Sequence, residues 1–123
     1  MSRPDDAARV RHMLQAARNA LRLAQGRTRE DLDTDMALAL SLWKLLEIIG
    51  EAASRVTPEL RAEHGHIPWQ LAADTRNRLT HGYDTVDYSV VWSTVTNDLP
   101  SLVPSLEAVL RNLEESRERP QDS

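Results

Sequence analysis

The sequence predicts an all-α protein, an up-and-down bundle of four or five helices. Three observations predict it. Apolar residues recur at spacings of three and four through most of the chain, the period that one face of a helix requires. Proline, glycine and aspartate punctuate those runs where helices would start and stop. At 123 residues there is material for one modest core, burying roughly two-thirds of the surface that the unfolded chain exposes. No internal repeat or low-complexity segment interrupts the pattern.

Val10, Leu14, Ala17, Leu21 and Ala24 keep helical period, with Pro4 and Asp5 favouring a start and Gly26 a stop. A first helix is expected at about residues 5 to 25. The charged link RTREDLD follows, and Thr34 or Asp33 can cap the next helix. That second helix is expected from about Thr34 to Val56, roughly 33 Å long. Met36, Leu38, Leu40, Leu42, Trp43, Leu45, Leu46, Ile48 and Ile49 make it apolar over most of its circumference. A helix of this kind is central, packed on several sides, or shared with a second subunit. Its polar residues Lys44, Glu47, Glu51 and Arg55 form one narrow stripe. A solvated edge carrying ion pairs is the simpler reading of that stripe, and a groove lined by Glu47 the sharper one.

Thr57-Pro58-Glu59 stops the second helix, and PELRAEHG can form a short helical turn. HGHIPW reads as a loop, after which Pro68 suits the first position of a third helix. That helix holds Trp69, Leu71, Ala72, Thr75 and Leu79 and should end near Thr80, with Gly82 available as a left-handed cap. Asp84 or Asp87 then caps a fourth helix bearing Val90, Val91, Val95 and Leu99. Pro100 and Pro104 should kink or restart it, because each lacks an N–H and crowds the preceding turn. Leu102, Leu106, Val109, Leu110 and Leu113 carry the apolar face on to about Glu115. The expected organisation is one helical domain over residues 1–116 and a frayed tail over 117–123.

Charge and composition exclude several classes of function. With 15 Lys+Arg against 19 Asp+Glu the net charge is −4, so any contact with nucleic acid must go through a local basic cluster. The absence of cysteine removes disulfide frames and thiolate metal sites. MSRPDDAARV has no apolar core of a secretory signal, and MALALSLWKLLEIIG (36 to 50) is too short to span a bilayer. The expectation is a soluble, cytoplasmic protein without a membrane partner. His64 and His66, in EHGH, lack the further ligands of a recognisable metal site, and a solvated loop is the better reading. His12 has no evident partner. Trp43, Trp69 and Trp92 are expected to anchor the core, and Tyr88 to pack or face solvent.

RNRLTHGYDTVD (76 to 87) stands apart, because it interrupts the apolar pattern where a helix should end. Histidine titrates near neutrality and can take and give a proton, while arginine stays charged and its planar fork matches phosphate oxygens. Together they suit metal-free RNA cleavage, in which a base frees the ribose 2′-OH and a cation stabilises charge on phosphorus. Arg76 and His81 are five residues apart, about 140° around a straight helix, so one unbroken helix cannot aim both at one phosphate. Either the helix breaks before His81 or a second copy of the chain completes the site. On spacing alone a purely structural role, favourable interaction with the helix dipole, outranks catalysis.

RNRLTHGYDTVD, together with IPW (67 to 69), EIIGEAA (47 to 53) and VVWSTVTNDLPSL (90 to 102), resembles the HepT-like family of the HEPN superfamily over nearly the whole chain. The signature R-x4-H-x-Y is matched by Arg76, His81 and Tyr83. The resemblance implies a helical, homodimeric toxin of a toxin–antitoxin pair, a metal-independent ribonuclease needing no cofactor. Arg and His of both subunits would meet in a cleft at the dimer interface. It implies His81 as the acid–base residue, Arg76 as the phosphate ligand and Asn77 as an orienting neighbour. It implies Tyr83 as the target of a minimal nucleotidyltransferase partner that attaches AMP. Two residues depart from the family pattern. Thr75 stands where relatives commonly carry an apolar residue, and Asp84 where an aromatic is frequent. Asp84 and the acidic balance motivate a rival reading, a non-catalytic dimer that binds the nucleotidyltransferase, or nucleotides, through the same groove.

Overall fold

The computed structural model of the protein describes residues 3–79 and 86–118, the side chains of residues 3, 4, 71, 76–79, 117 and 118 lying outside that description. Every described element is helical: α1 (Arg3–Ala24), α2 (Asp31–Thr34), α3 (Met36–Ser54), α4 (Pro58–Glu63), α5 (Trp69–Leu79), α6 (Tyr88–Ser93), a π-helical turn (Thr94–Asp98) and α7 (Leu99–Glu118). The all-α class is therefore observed. Helix α3 is the hub, packed on α1 along one side and on α5 along another, while α7 returns along α1. Fully buried Met13 of α1, Leu42 and Leu46 of α3, Leu60 of α4, and Leu99 and Leu106 of α7 fill the space between them. No helix among the described residues is long and apolar enough to cross a membrane.

Several boundaries differ from expectation, each for a local reason. Helix α3 begins at Met36, because Asp35 rather than Asp33 or Thr34 caps it: the Asp35 carboxylate accepts a hydrogen bond from Leu38 N at 3.1 Å. The preceding residues close a separate turn, α2, whose Leu32 is buried. Helix α3 is also less enclosed than its composition suggests. Met36, Leu40 and Ile48 are exposed at 74%, 44% and 37%, a row that no described element covers. Pro68 sits just before α5, its carbonyl accepting from Ala72 N at 2.9 Å. Asp87 caps α6, accepting from Ser89 and Val90 N at 3.1 Å each; Asp84 and Gly82 lie outside the described residues.

Neither proline breaks the last helix. The chain leaves α6 through the π turn, where Leu99 N–H reaches back to Thr94 O. Pro100 then falls at the junction of the π turn with α7, and Pro104 is carried within the helix. The hydroxyls of Thr94 and Thr96 donate to the carbonyls of Val90 and Trp92 at 2.7 and 2.8 Å, tying the widened turn to α6. Helix α7 runs on to Glu118, and residues 119–123, most of the expected tail, lie outside the described residues. Trp69 is buried, with its indole N–H donating to His64 O at 3.0 Å, while Trp43 and Trp92 are half-buried against the core.

Candidate functional site

Helix α5 carries the start of the R-x4-H-x-Y stretch, and its position follows from two anchors. At its beginning, Ile67 and Trp69 are buried and the intervening turn is closed by Ile67 N to His64 O and Trp69 N to Ile67 O. Along its length, α5 lies unusually close to α3. A Cβ at Gly50 would meet the Ala72 carbonyl oxygen at 3.0 Å, so only glycine permits that approach without displacement. This is the physical content of the glycine within EIIGEAA. IPW sets where α5 starts, and Gly50 sets how near it comes.

Arg76 and Asn77 occupy the last turn of α5, and Arg76 follows Ala72 by four residues, one turn further along the same row. Their side chains, and all of His81 and Tyr83, lie outside the described residues. The same α5 face borders a cavity of about 320 Å³. Ala72 and Thr75 of α5 form one wall, Leu46 and Ile49 of α3 the floor, and Thr94, Asp98, Leu99, Ser101, Leu102 and Ser105 the opposite wall. His66 and Pro68 stand at one end. The walls are mainly apolar, with polar groups at a few points, the composition of a small-molecule or side-chain seat.

Asp98, Ser101 and Ser105 were not singled out in the sequence. Their signal was present, because spacings of three and four from Asp98 place them on one face with Leu102. Ser101 and Ser105 hydroxyls donate to the carbonyls of Asp98 and Ser101 at 3.3 and 3.2 Å, leaving their oxygen lone pairs available. Thr75, a departure from the family pattern, is 6% exposed and contributes polarity to the α5 wall, where an apolar residue would extend the apolar lining.

Glu47 lies elsewhere. It borders a second surface cavity, about 450 Å³, between α1 and α3, with Arg9, His12, Lys44, Ile48, Glu51, Ala52 and Arg55. Lys44 pairs with Glu47 at 3.5 Å and Arg55 with Glu51 at 2.7 Å, so the polar stripe does carry ion pairs. It does not share the cavity beside α5. The His64 and His66 rings meet edge-to-face, centroids 6.2 Å apart, and no described cluster of three or more His, Asp or Glu side chains could hold a metal ion. Among the described residues, the resolved shifts in proton affinity that can be assigned lie at Asp35 and Arg27. The Leu38 N–H, then the Arg27 guanidinium, hold the Asp35 carboxyl below its ordinary range, and Asp35 raises Arg27 in return.

Comparison with known proteins decides the family. The sequence profile described as "Ribonuclease HepT-like" matches residues 13–114. The chain belongs to the HepT-like ribonuclease family. Among HepT-like relatives, "Probable ribonuclease HepT" of Thermococcus cleftensis is 38% identical over 63% of this chain and 71% of its own length. A protein of Caldanaerobacter subterraneus subsp. tengcongensis named "Putative RNase" is 31% identical over 83% of this chain and 91% of its own. A Methanocaldococcus jannaschii protein of the same description is 33% identical over 70% and 74%. No solved structure matches the chain.

Proposed function

We propose that this protein is the ribonuclease toxin of a toxin–antitoxin pair, cutting RNA by attack of a ribose 2′-OH on the adjacent phosphate. The observation that carries this reading is the R-x4-H-x-Y stretch, which begins in the last turn of α5, in a chain of the HepT-like ribonuclease family. His81 takes the 2′-OH proton and returns it to the departing 5′-oxygen as the P–O5′ bond breaks, Arg76 holds the phosphate and stabilises charge developing on it, and Asn77 orients the pair. No step requires a metal ion, because the guanidinium supplies the positive charge. The site is shared by two copies of the chain, which brings two Arg76 and two His81 side chains around one cleft. The exposed Met36, Leu40 and Ile48 row of α3 is consistent with further burial of that helix in an assembly. Tyr83 is the regulatory position: a minimal nucleotidyltransferase partner attaches AMP there, and the added charge and bulk exclude RNA.

The test is cleavage of end-labelled RNA in excess EDTA by wild type, Arg76→Ala and His81→Ala. Wild type should release fragments with 2′,3′-cyclic phosphate ends. Each variant should fall by about 10²–10⁴-fold, the usual contribution of a positioned acid–base group, with an unchanged circular-dichroism spectrum. A folded wild-type protein, unmodified at Tyr83, that leaves RNA intact would reduce these residues to a binding surface for the nucleotidyltransferase or nucleotides.

A further inference from the structure

The cavity beside α5 has a wall that the cleavage chemistry does not use. Its volume, about 320 Å³, is at the lower end of the range of roughly 300–1,000 Å³ typical of ligand sites. That suits a single base with its sugar. Leu46, Ile49, Ala72, Leu99 and Leu102 give it the apolar faces that an unstacked base requires. It is lined by Ala72 and Thr75 of α5, and the next turn of that helix holds Arg76, so an RNA strand engaged at Arg76 runs close to it.

Asp98 supplies the chemistry of recognition. It closes the π turn, a helix form that recurs at functional sites, and it is exposed. Among the described residues its carboxylate has no hydrogen-bond or ion-pair partner, its backbone carbonyl alone being engaged by Ser101. An ionised carboxylate only accepts, through two oxygens side by side. Guanine is the one RNA base presenting two adjacent donors, N1–H and N2–H₂, on its pairing edge. Adenine and cytosine each set a donor beside a ring-nitrogen acceptor, and uracil sets one donor between two carbonyls. The lone pairs on the Ser101 and Ser105 hydroxyls add acceptors on the same face of α7. His66, at the end of the cavity, offers a ring for stacking.

We infer that this cavity is a guanine-binding subsite in which Asp98 reads the N1–H and N2–H₂ edge of a base in the RNA strand held at Arg76. The inference rests on the proposed ribonuclease reading for its substrate, but binding can be measured without turnover. Calorimetric titration of the intact protein with guanosine, adenosine and cytidine 3′-monophosphates tests it, beside Asp98→Asn and His81→Ala. Wild type and His81→Ala should bind the guanosine nucleotide at least ten-fold more tightly than the others. Asp98→Asn should lose that preference while keeping its affinity for the adenosine nucleotide, because an amide offers one acceptor where the carboxylate offered two. Inosine 3′-monophosphate, lacking the N2 amine, should fall between. Equal affinity for all the nucleotides, no binding, or a guanine preference untouched by Asp98→Asn would each overturn the assignment. If Leu102→Glu changed the oligomeric state while no nucleotide bound, the cavity would instead be part of a seam between copies. A guanine preference in a protein that cleaves nothing would leave the subsite standing and remove only the nuclease reading.

Discussion

Asp6 is 1% exposed, a carboxylate set among the core residues of α1. Its two oxygens accept from the Thr57 backbone N–H at 3.0 Å and from the Thr57 hydroxyl at 2.6 Å. Thr57 is itself the cap of α4, its hydroxyl oxygen accepting from Leu60 N at 3.4 Å. One side chain therefore ties the start of α1 to the corner between α3 and α4, across 51 residues of sequence. Charge-assisted hydrogen bonds each contribute about 1.5–3 kcal/mol, and removing one partner leaves the other desolvated. Asp6→Ala should cost about 2–3 kcal/mol of unfolding free energy in urea denaturation. Asp6→Asn should cost less, because its amide oxygen can still accept from Thr57 N. A loss below about 0.5 kcal/mol for Asp6→Ala would mean that water replaces the contact on opening of the corner.

At the level of elements, the α3–α5 contact decides how the candidate site is held. Gly50→Ala gains about 1 kcal/mol of helix propensity. Its Cβ meets the Ala72 carbonyl at 3.0 Å, and overpacking of this kind costs about 1–3 kcal/mol, so the clash wins. The expected net loss is about 1 kcal/mol, or roughly 4 °C in Tm for a domain of this size. Gly50→Val should lose more, having two further atoms against the same backbone and no comparable propensity gain. Because α5 carries Arg76, both variants should also depress RNA cleavage more than an equally destabilising change in α1. Thermal melts and cleavage rates on the same samples separate the two effects. The α5 frame was partly legible in the sequence: Pro68, Trp69 and the 3.6-residue period marked the helix and its start. The role of Gly50 was not, because a glycine within an apolar helix has the same pattern whether a neighbour is 3 or 5 Å away. Asp35 as the true cap of α3 was missed for a related reason, since Asp33, Thr34 and Asp35 are all competent acceptors and only the backbone path selects one. The π turn was hidden because period counting cannot register one residue of slack, and the prolines after it suggested a kink or a restart. In the candidate site, family resemblance supplied Arg76, Asn77, His81 and Tyr83. The cavity wall of Asp98, Ser101 and Ser105 emerged only once α7 was laid against α3 and α5.

Across the whole molecule, charge is paired as much as it is distributed. Arg18 of α1 bonds Glu107 of α7, and Arg11 pairs with Glu114 at 3.7 Å, stitching the same two helices. Arg27 engages Asp31 and Asp35, and Arg29 engages Asp33 at 3.1 Å. Exposed pairs of this kind add little stability, but they occupy cations that a phosphate backbone would otherwise attract. With a net charge of −4, the protein can engage RNA only through a local basic cluster, which the proposed function sets at α5. Each phosphate neutralised on a single strand contributes roughly −0.7 to the slope of log K against log salt. Two or three contacts from Arg76 and its counterpart in a second copy would give a slope of about −1.5 to −2. Fluorescence titration of the His81→Ala protein, expected to bind but not cleave, with a short labelled RNA at a series of salt concentrations measures it directly. Arg76→Ala should flatten the line by about 0.7 for each cation lost. A slope steeper than about −4 would require a broad basic face, and would move RNA binding away from α5 to a surface built by assembly.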